Sequence, residues 1–118
     1  NPLKSVKDIN NVIKIIIRYK ADSVIAVNQL FDHHPARIKK IIKGKLHDFA
    51  VKEKLESRRQ DLKPKAYIRS GSIYAMSRRF VLQEKRYFSG KSYAYILPSE
   101  RTINIDDKND LLVAKIKI

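Results

Sequence analysis

Near the start of the chain apolar residues recur at helical spacing, and further on they shift to shorter, strand-like runs. Val6, Ile9, Val12, Ile13, Ile16 and Ile17 fall three or four apart, with Lys7, Asn10, Asn11, Lys14 and Arg18 on the other face; this predicts an amphipathic helix ending near Lys20. Ser5, with Asp8 three residues later, is a capping box that opens it. The run "DSVIAVN", 22–28, is short, apolar and bounded by polar residues, as a buried strand would be. A helix that leads into a buried strand after two or three residues is the tail of a βαβ unit.

Downstream the pattern keeps alternating. "RIKKII" and "LHDFAV" flank Lys43-Gly44-Lys45 and predict a hairpin turning at Gly44. The polar stretch 52–65 is a long loop with one helical turn. "AYIRSGSIYAM" predicts a strand in which Gly71 marks a bulge or a close backbone approach. "SRRFVLQEK" predicts a short helix capped by Ser77. "SYAYIL" is a further strand ended by Pro98, "TINI" a short extended piece, and "DDKNDLLVAKIKI" a helix with acids first and lysines last, as its dipole favours. Strands and helices mix along the whole length. The expected class is α/β, with part of the sheet supplied by sequence outside this chain.

At 118 residues the chain has the length of one domain. It has no cysteine, so disulfides and thiolate metal sites are excluded, and a reducing cytoplasm is the expected location. No apolar run is longer than the five residues Tyr93–Leu97, far short of a membrane span, so no membrane partner is expected. The opening "NPLKSVKDIN" has neither an initiator methionine nor signal-peptide features, and we expect the chain to start partway through a larger protein. A net charge of +14 raises a nucleic-acid-binding module as an alternative function. The basic residues are spread from Lys4 to Lys117 in runs of at most two, and no zinc-finger or RNA-binding signature accompanies them. That disfavours a nucleic-acid partner.

Candidate chemistry is sparse. Asn104 and Asp106 are two apart, so they project from one face of an extended strand just before a helix; two such oxygens can hold magnesium together with substrate phosphates, although the stronger reading of the spacing is that Asp106 or Asp107 caps the helix and Asp110 completes its first turn. His33 and His34 are adjacent and point to opposite faces, which favours hydrogen-bonding loop histidines over a metal site. Arg58-Arg59 with Gln60 is a planar donor cluster suited to carboxylate or phosphate, or else a solvated loop. Tyr87-Phe88 is more often core packing than a ligand wall. There is no glycine-rich phosphate loop, and the three histidines and several serines show no credible Ser-His-Asp arrangement.

The order of the segments says more than any one of them. "PLK", "ADSVIAV", "HHPARIKKI", "RRQDLKPKAYIRSGSIYAM" and "YILPSERTINIDDKNDLLVA" together resemble the acylneuraminate cytidylyltransferases, enzymes that activate sialic acid and related nine-carbon sugar acids as CMP-sugars. The resemblance covers essentially the whole chain, as the C-terminal part of such an enzyme. It implies a partial Rossmann-like nucleotide-diphospho-sugar transferase sheet with helices and a small projecting hairpin for dimerisation. It also implies CTP and a nonulosonic acid as substrates, magnesium as cofactor, and a homodimer. By position, Asn104 and Asp106 match the metal-binding aspartates of a "SIDID" element, with Asn104 a neutral departure. Arg37 follows "HHP", and Arg59 and Gln60 form the "RQ" element; the two arginines would take the sugar carboxylate. "SGSIY" stands for "NGAIY", with Ser70 in place of asparagine and Tyr74 kept. Tyr87 and Phe88 fall where aromatics meet the acylamino side of the sugar. The family's N-terminal phosphate-binding stretch, of the type "ARGGSKGIPRKN", is missing, so the isolated chain is expected to be inactive. A non-catalytic dimerisation remnant of the family is the further alternative.

Overall fold

The computed structural model describes residues 1–54 and 58–118, which gather into two compact units, 1–28 with 69–118 and 29–68. The first unit opens with helix α1, Val6–Tyr19. Ser5 and Asp8 close the expected capping box: the Asp8 N–H donates to the Ser5 hydroxyl, and the Asp8 carboxylate accepts from the Ser5 N–H at 2.7 Å. Lys20 ends the helix in the left-handed conformation (φ 48°), with its N–H on the Ile16 carbonyl. Strand β1, Ser23–Leu30, follows after three residues, as the sequence predicts.

Strand β4 (Ala66–Met76), helix α2 (Arg78–Glu84), strand β5 (Ser92–Ile96) and helix α3 (Lys108–Lys117) complete this part of the chain. The sheet order is β4-β1-β5. β1 and β5 run parallel, with Ser23 opposite Ser92 and Val27 opposite Ile96. The Ser77 N–H, just past β4, donates to the Asp22 carbonyl just before β1 (2.9 Å), so those two strands run antiparallel. α2 carries the expected Ser77 cap, whose hydroxyl accepts from the Phe80 N–H. "TINI" forms no ladder; its Ile103 is buried and the rest of it is irregular. Three strands and three helices establish the mixed α/β class.

The core is Val12, Ala21 and Val24, packed by Ile15, Ile16, Ile73, Ala75 and Tyr95. The apolar face of α1 is wider than this core: Val6 and Ile17 stay more than 70% exposed. The six apolar positions span more of the helix circumference than the strands beneath it cover.

The second unit is built on a hairpin, β2 (Lys39–Ile42) and β3 (Lys45–Asp48), paired antiparallel with Ile41 opposite Leu46. Lys43 (φ 49°) and Gly44 (φ 75°) make the two-residue turn at the predicted place, in the conformation that such tight hairpins need. A single 3₁₀ turn, Pro35–Arg37, precedes the hairpin, and another, Arg59–Asp61, supplies the helical turn expected in the 52–65 loop; residues 55–57 of that loop lie outside the described residues. His34 ties this unit together. Its Nδ1 accepts from the Ala36 N–H at 3.2 Å, and its Nε2 lies 2.8 Å from the Pro64 carbonyl oxygen. The histidine is thus a hydrogen-bonding loop residue, as the geometry of adjacent histidines predicted.

Candidate functional site

The predicted site residues divide between the units. In the second unit, Arg59 and Gln60 line a cavity of about 390 Å³ with Phe31, His34, Lys63 and Lys65. Arg59 sits on the 3₁₀ turn and forms an ion pair with Asp32. Its neighbour Arg58 pairs instead with Asp61 across three residues (2.9 Å). Arg37 ends the other 3₁₀ turn, 4.0 Å from the Oε1 of Glu53. Lys39 holds the other oxygen of Glu53 at 2.8 Å and also binds Asp48. Arg59, Lys63 and Lys65 make the lining of the cavity cationic, and Phe31 adds an aromatic ring to it. A guanidinium fork in such a place suits a planar carboxylate.

In the first unit, Tyr74, Tyr87 and Phe88 come together. Tyr74 and Tyr87 meet edge to face, with ring centroids 5.6 Å apart. Tyr87 and Phe88 line a mainly apolar pocket of about 310 Å³ over the β1–β5 face, with Ile25, Val27 and Ala94 as its floor. Phe88 is 64% exposed. The two aromatics thus form a wall, against the expectation that they pack in the core. They lie on the link between α2 and β5, residues 85–91, which runs over the β1–β5 face.

The sequence reading missed Arg69. Its guanidinium lies 5.0 Å from the Tyr87 ring centroid and donates to the Tyr87 hydroxyl, so it places a positive charge at the rim of the same pocket. A lone arginine in a strand of small and apolar residues was the available signal, but its partner is 18 residues away. Ser70 is placed differently. It is buried, its hydroxyl is 2.6 Å from that of Ser72 and accepts from the Ser72 N–H, and so it is committed within its own strand. Gly71 between them has φ 69°, consistent with the expected irregularity.

Asn104 lies over that glycine: a Cβ added at Gly71 would be 3.8 Å from the Asn104 Nδ2. The acidic cluster resolves into two roles. Asp107 caps α3, with its Oδ1 accepting from the Asp110 N–H (2.8 Å), while the Asp110 carboxylate accepts from the N–H groups of Asp106 (2.9 Å) and Asp107 (3.2 Å). Asp106 is exposed, and among the described residues its carboxylate has no hydrogen-bond partner. No group of three or more histidine, cysteine or acidic residues among the described residues is placed to hold a metal. Asn104 and Asp106 offer two oxygens, a donor set that suits magnesium shared with substrate phosphates and not a protein-only cage.

The resemblance read from the sequence is borne out. The likeness is to the N-acylneuraminate cytidylyltransferases. Over 113 residues, 95% of this chain, it is 26% identical to the enzymes of that name from Streptococcus agalactiae serotype III and serotype Ia. The same identity and coverage hold for the enzyme from Streptococcus agalactiae serotype V. The match takes up 27% of each cytidylyltransferase, so the chain spans about a quarter of the length of the curated relatives it matches. No family model matches the chain. Among the described residues no helix is long and apolar enough to cross a membrane.

Proposed function

We propose that this chain is the sugar-binding, metal-binding and dimerisation part of a nucleotidyltransferase that joins CTP to a sialic-acid-like nine-carbon sugar acid. The observation that carries this reading is the similarity to cytidylyltransferases along 95% of the chain. The anomeric hydroxyl of the sugar attacks the α-phosphorus of CTP, the new C–O–P link forms, and pyrophosphate leaves. Arg37 and Arg59 pair with the sugar carboxylate, and Gln60 hydrogen-bonds beside them. Tyr87 and Phe88 take the acylamino side, with Tyr74 holding the Tyr87 ring from its edge. Ser70 acts indirectly, by bracing the strand at Gly71. Asn104 and Asp106 would hold magnesium, which supplies neutralisation of phosphate charge when bound. The protein's part is positioning and electrostatic stabilisation.

A homodimer fits the second unit. Its hairpin exposes Ile41 at 75% and Leu46 at 69%, apolar surface of the kind that interfaces cover. The absence of cysteine accords with a cytoplasmic location. A second reading, a remnant that dimerises without catalysis, is favoured by the neutral Asn104 and by the internally committed Ser70 hydroxyl.

One experiment separates them. The chain is substituted for its matching stretch in one of the streptococcal relatives, and the joined protein is assayed for release of pyrophosphate from CTP and a sialic acid. Turnover is expected, with a loss of about a hundredfold or more in Asp106→Ala, as removal of a transition-state charge contact produces. No turnover at all in the joined protein supports the remnant. Turnover that Asp106→Ala leaves unchanged overturns the metal role. The 118-residue chain alone is expected to give none.

A further inference from the structure

The outer edge of β5 carries a feature that the proposed chemistry does not use. β5 ends the three-stranded sheet. The Asp22 N–H bonds to the Lys91 carbonyl, and the Leu97 N–H to the Val27 carbonyl. Odd-numbered residues of β5 therefore face β1, and by alternation Ala94 and Ile96 turn their N–H and C=O groups outward. An exposed strand edge of this sort is a template for a further strand.

A groove of about 580 Å³ runs along this edge between β5 and α1. Asn11, Lys14 and Arg18 line it from the helix, and Tyr93 and Tyr95 from the strand. It is held in shape by its own walls. Tyr19 and Tyr93 stack with centroids 4.8 Å apart at 12°, Arg18 lies 5.3 Å from the Tyr19 ring centroid, and the Asn11 amide reaches the Tyr95 hydroxyl at 3.4 Å. No acidic residue lines the groove, and Asp8, the one carboxylate on α1, is wholly buried and bound by Arg101 and Tyr95, so it does not offset the two cations.

We infer that this edge docks an extended acidic peptide, added to β5 as a fourth strand with alternate carboxylates facing Lys14 and Arg18. The spacing matches. Four residues of helix rise about 6 Å, and two residues of strand span roughly 6.6 Å, so side chains at i and i+2 of the incoming strand meet the two cations in register. Main-chain bonds to Ala94 and Ile96 supply affinity, and the charge pair selects acidic over basic strands. The inference does not rest on the proposed transferase activity.

The test uses the 118-residue chain and a fluorescein-labelled octapeptide of alternating glutamate and valine, followed by anisotropy at low salt. Saturable binding is expected. It weakens by about tenfold or more in the surface variant Lys14→Glu/Arg18→Glu, as two reversed charge pairs require. It also weakens when the peptide is N-methylated at alternate residues, a change that leaves the protein untouched. Equal binding of the alternating lysine and valine peptide overturns the inference. So does full displacement by a short DNA duplex at equal charge concentration together with indifference to N-methylation, because that combination is general polyanion attraction.

Discussion

The two units dispose of their polar groups in opposite ways. In the first, two carboxylates, Asp8 and Asp22, are committed to internal bonds. Asp8 has no exposed surface and accepts from the Ser5 N–H, the Ser5 hydroxyl, the Tyr95 hydroxyl and the Arg101 guanidinium at 2.5–2.8 Å. Asp22 likewise accepts from Arg79 (2.7 Å) and from the Ser89 hydroxyl (2.8 Å), joining the start of β1 to α2 and to the turn before β5. In the second unit only His34 and Ala36 are buried among the described residues, and its ion pairs lie at the surface. A two-stranded hairpin with so little interior is marginal by itself. The first unit is held by its own contacts, whereas the second presents apolar surface that the proposed dimer would bury.

The largest effect is expected where that contrast is sharpest. Asp8→Ala leaves Arg101, Tyr95 and the Ser5 N–H without their acceptor and should cost about 3–5 kcal/mol in urea unfolding, the range for breaking a buried pair. Burial pushes the Asp8 carboxyl up, but the bonds from Ser5, Arg101 and Tyr95 outweigh it and hold the group well below the ordinary aspartate range. Because the folded value is depressed, the stabilisation is complete above the unfolded pKa, about 4, and is lost as pH falls through the folded value. Acid titration of stability should show this loss below about pH 4 in the parent chain; Asp8→Asn should lack that component. An acid limb equal in both would refute the role given to Asp8.

Leu46→Asp tests the opposite pole. Intrinsic stability should barely change, while sedimentation should show a dimer dissociation constant raised about a hundredfold, roughly 2.7 kcal/mol. A monomer in both proteins would remove the dimer from the proposal. Smaller effects come from the two left-handed glycines. Gly71→Ala and Gly44→Ala should each cost about 1–2 kcal/mol of backbone strain, since neither added Cβ meets more than ordinary contact. Hydrogen exchange should report the first in β4 and the second in the hairpin alone; exchange that changes everywhere in Gly44→Ala would mean the hairpin is integral to the fold. Smallest of all, Arg69→Ala should cost about 0.5–1 kcal/mol of cation–π and hydrogen-bond energy. It should also free the Tyr87 ring, seen as narrowed aromatic lines in NMR, and unchanged lines would show that Tyr74 alone fixes it.

Local grammar was legible in the residues. The Ser5–Asp8 capping box, the Lys43-Gly44 turn, the Ser77 cap and the Asp107–Asp110 box all form where their residue types predict. Each is decided within about four residues, where backbone geometry and one side chain suffice. The order of segments pointed to the cytidylyltransferases for a similar reason: chain order survives in the sequence itself.

Side-chain partnership at long range was not legible. That Asp8 would be the most engaged acid, and not one of the Asp106–Asp110 group, depended on Tyr95 and Arg101, 87 and 93 residues away. That Tyr87 and Phe88 would form an exposed wall, with Arg69 at its rim, depended on how the link from α2 crosses the β1–β5 face. The sequence by itself set the caps, turns, strand runs and order. Only the tertiary structure decided which carboxylates are spent on stability and which, like Asp106, remain available, because burial and charge pairing are properties of surfaces brought together in space.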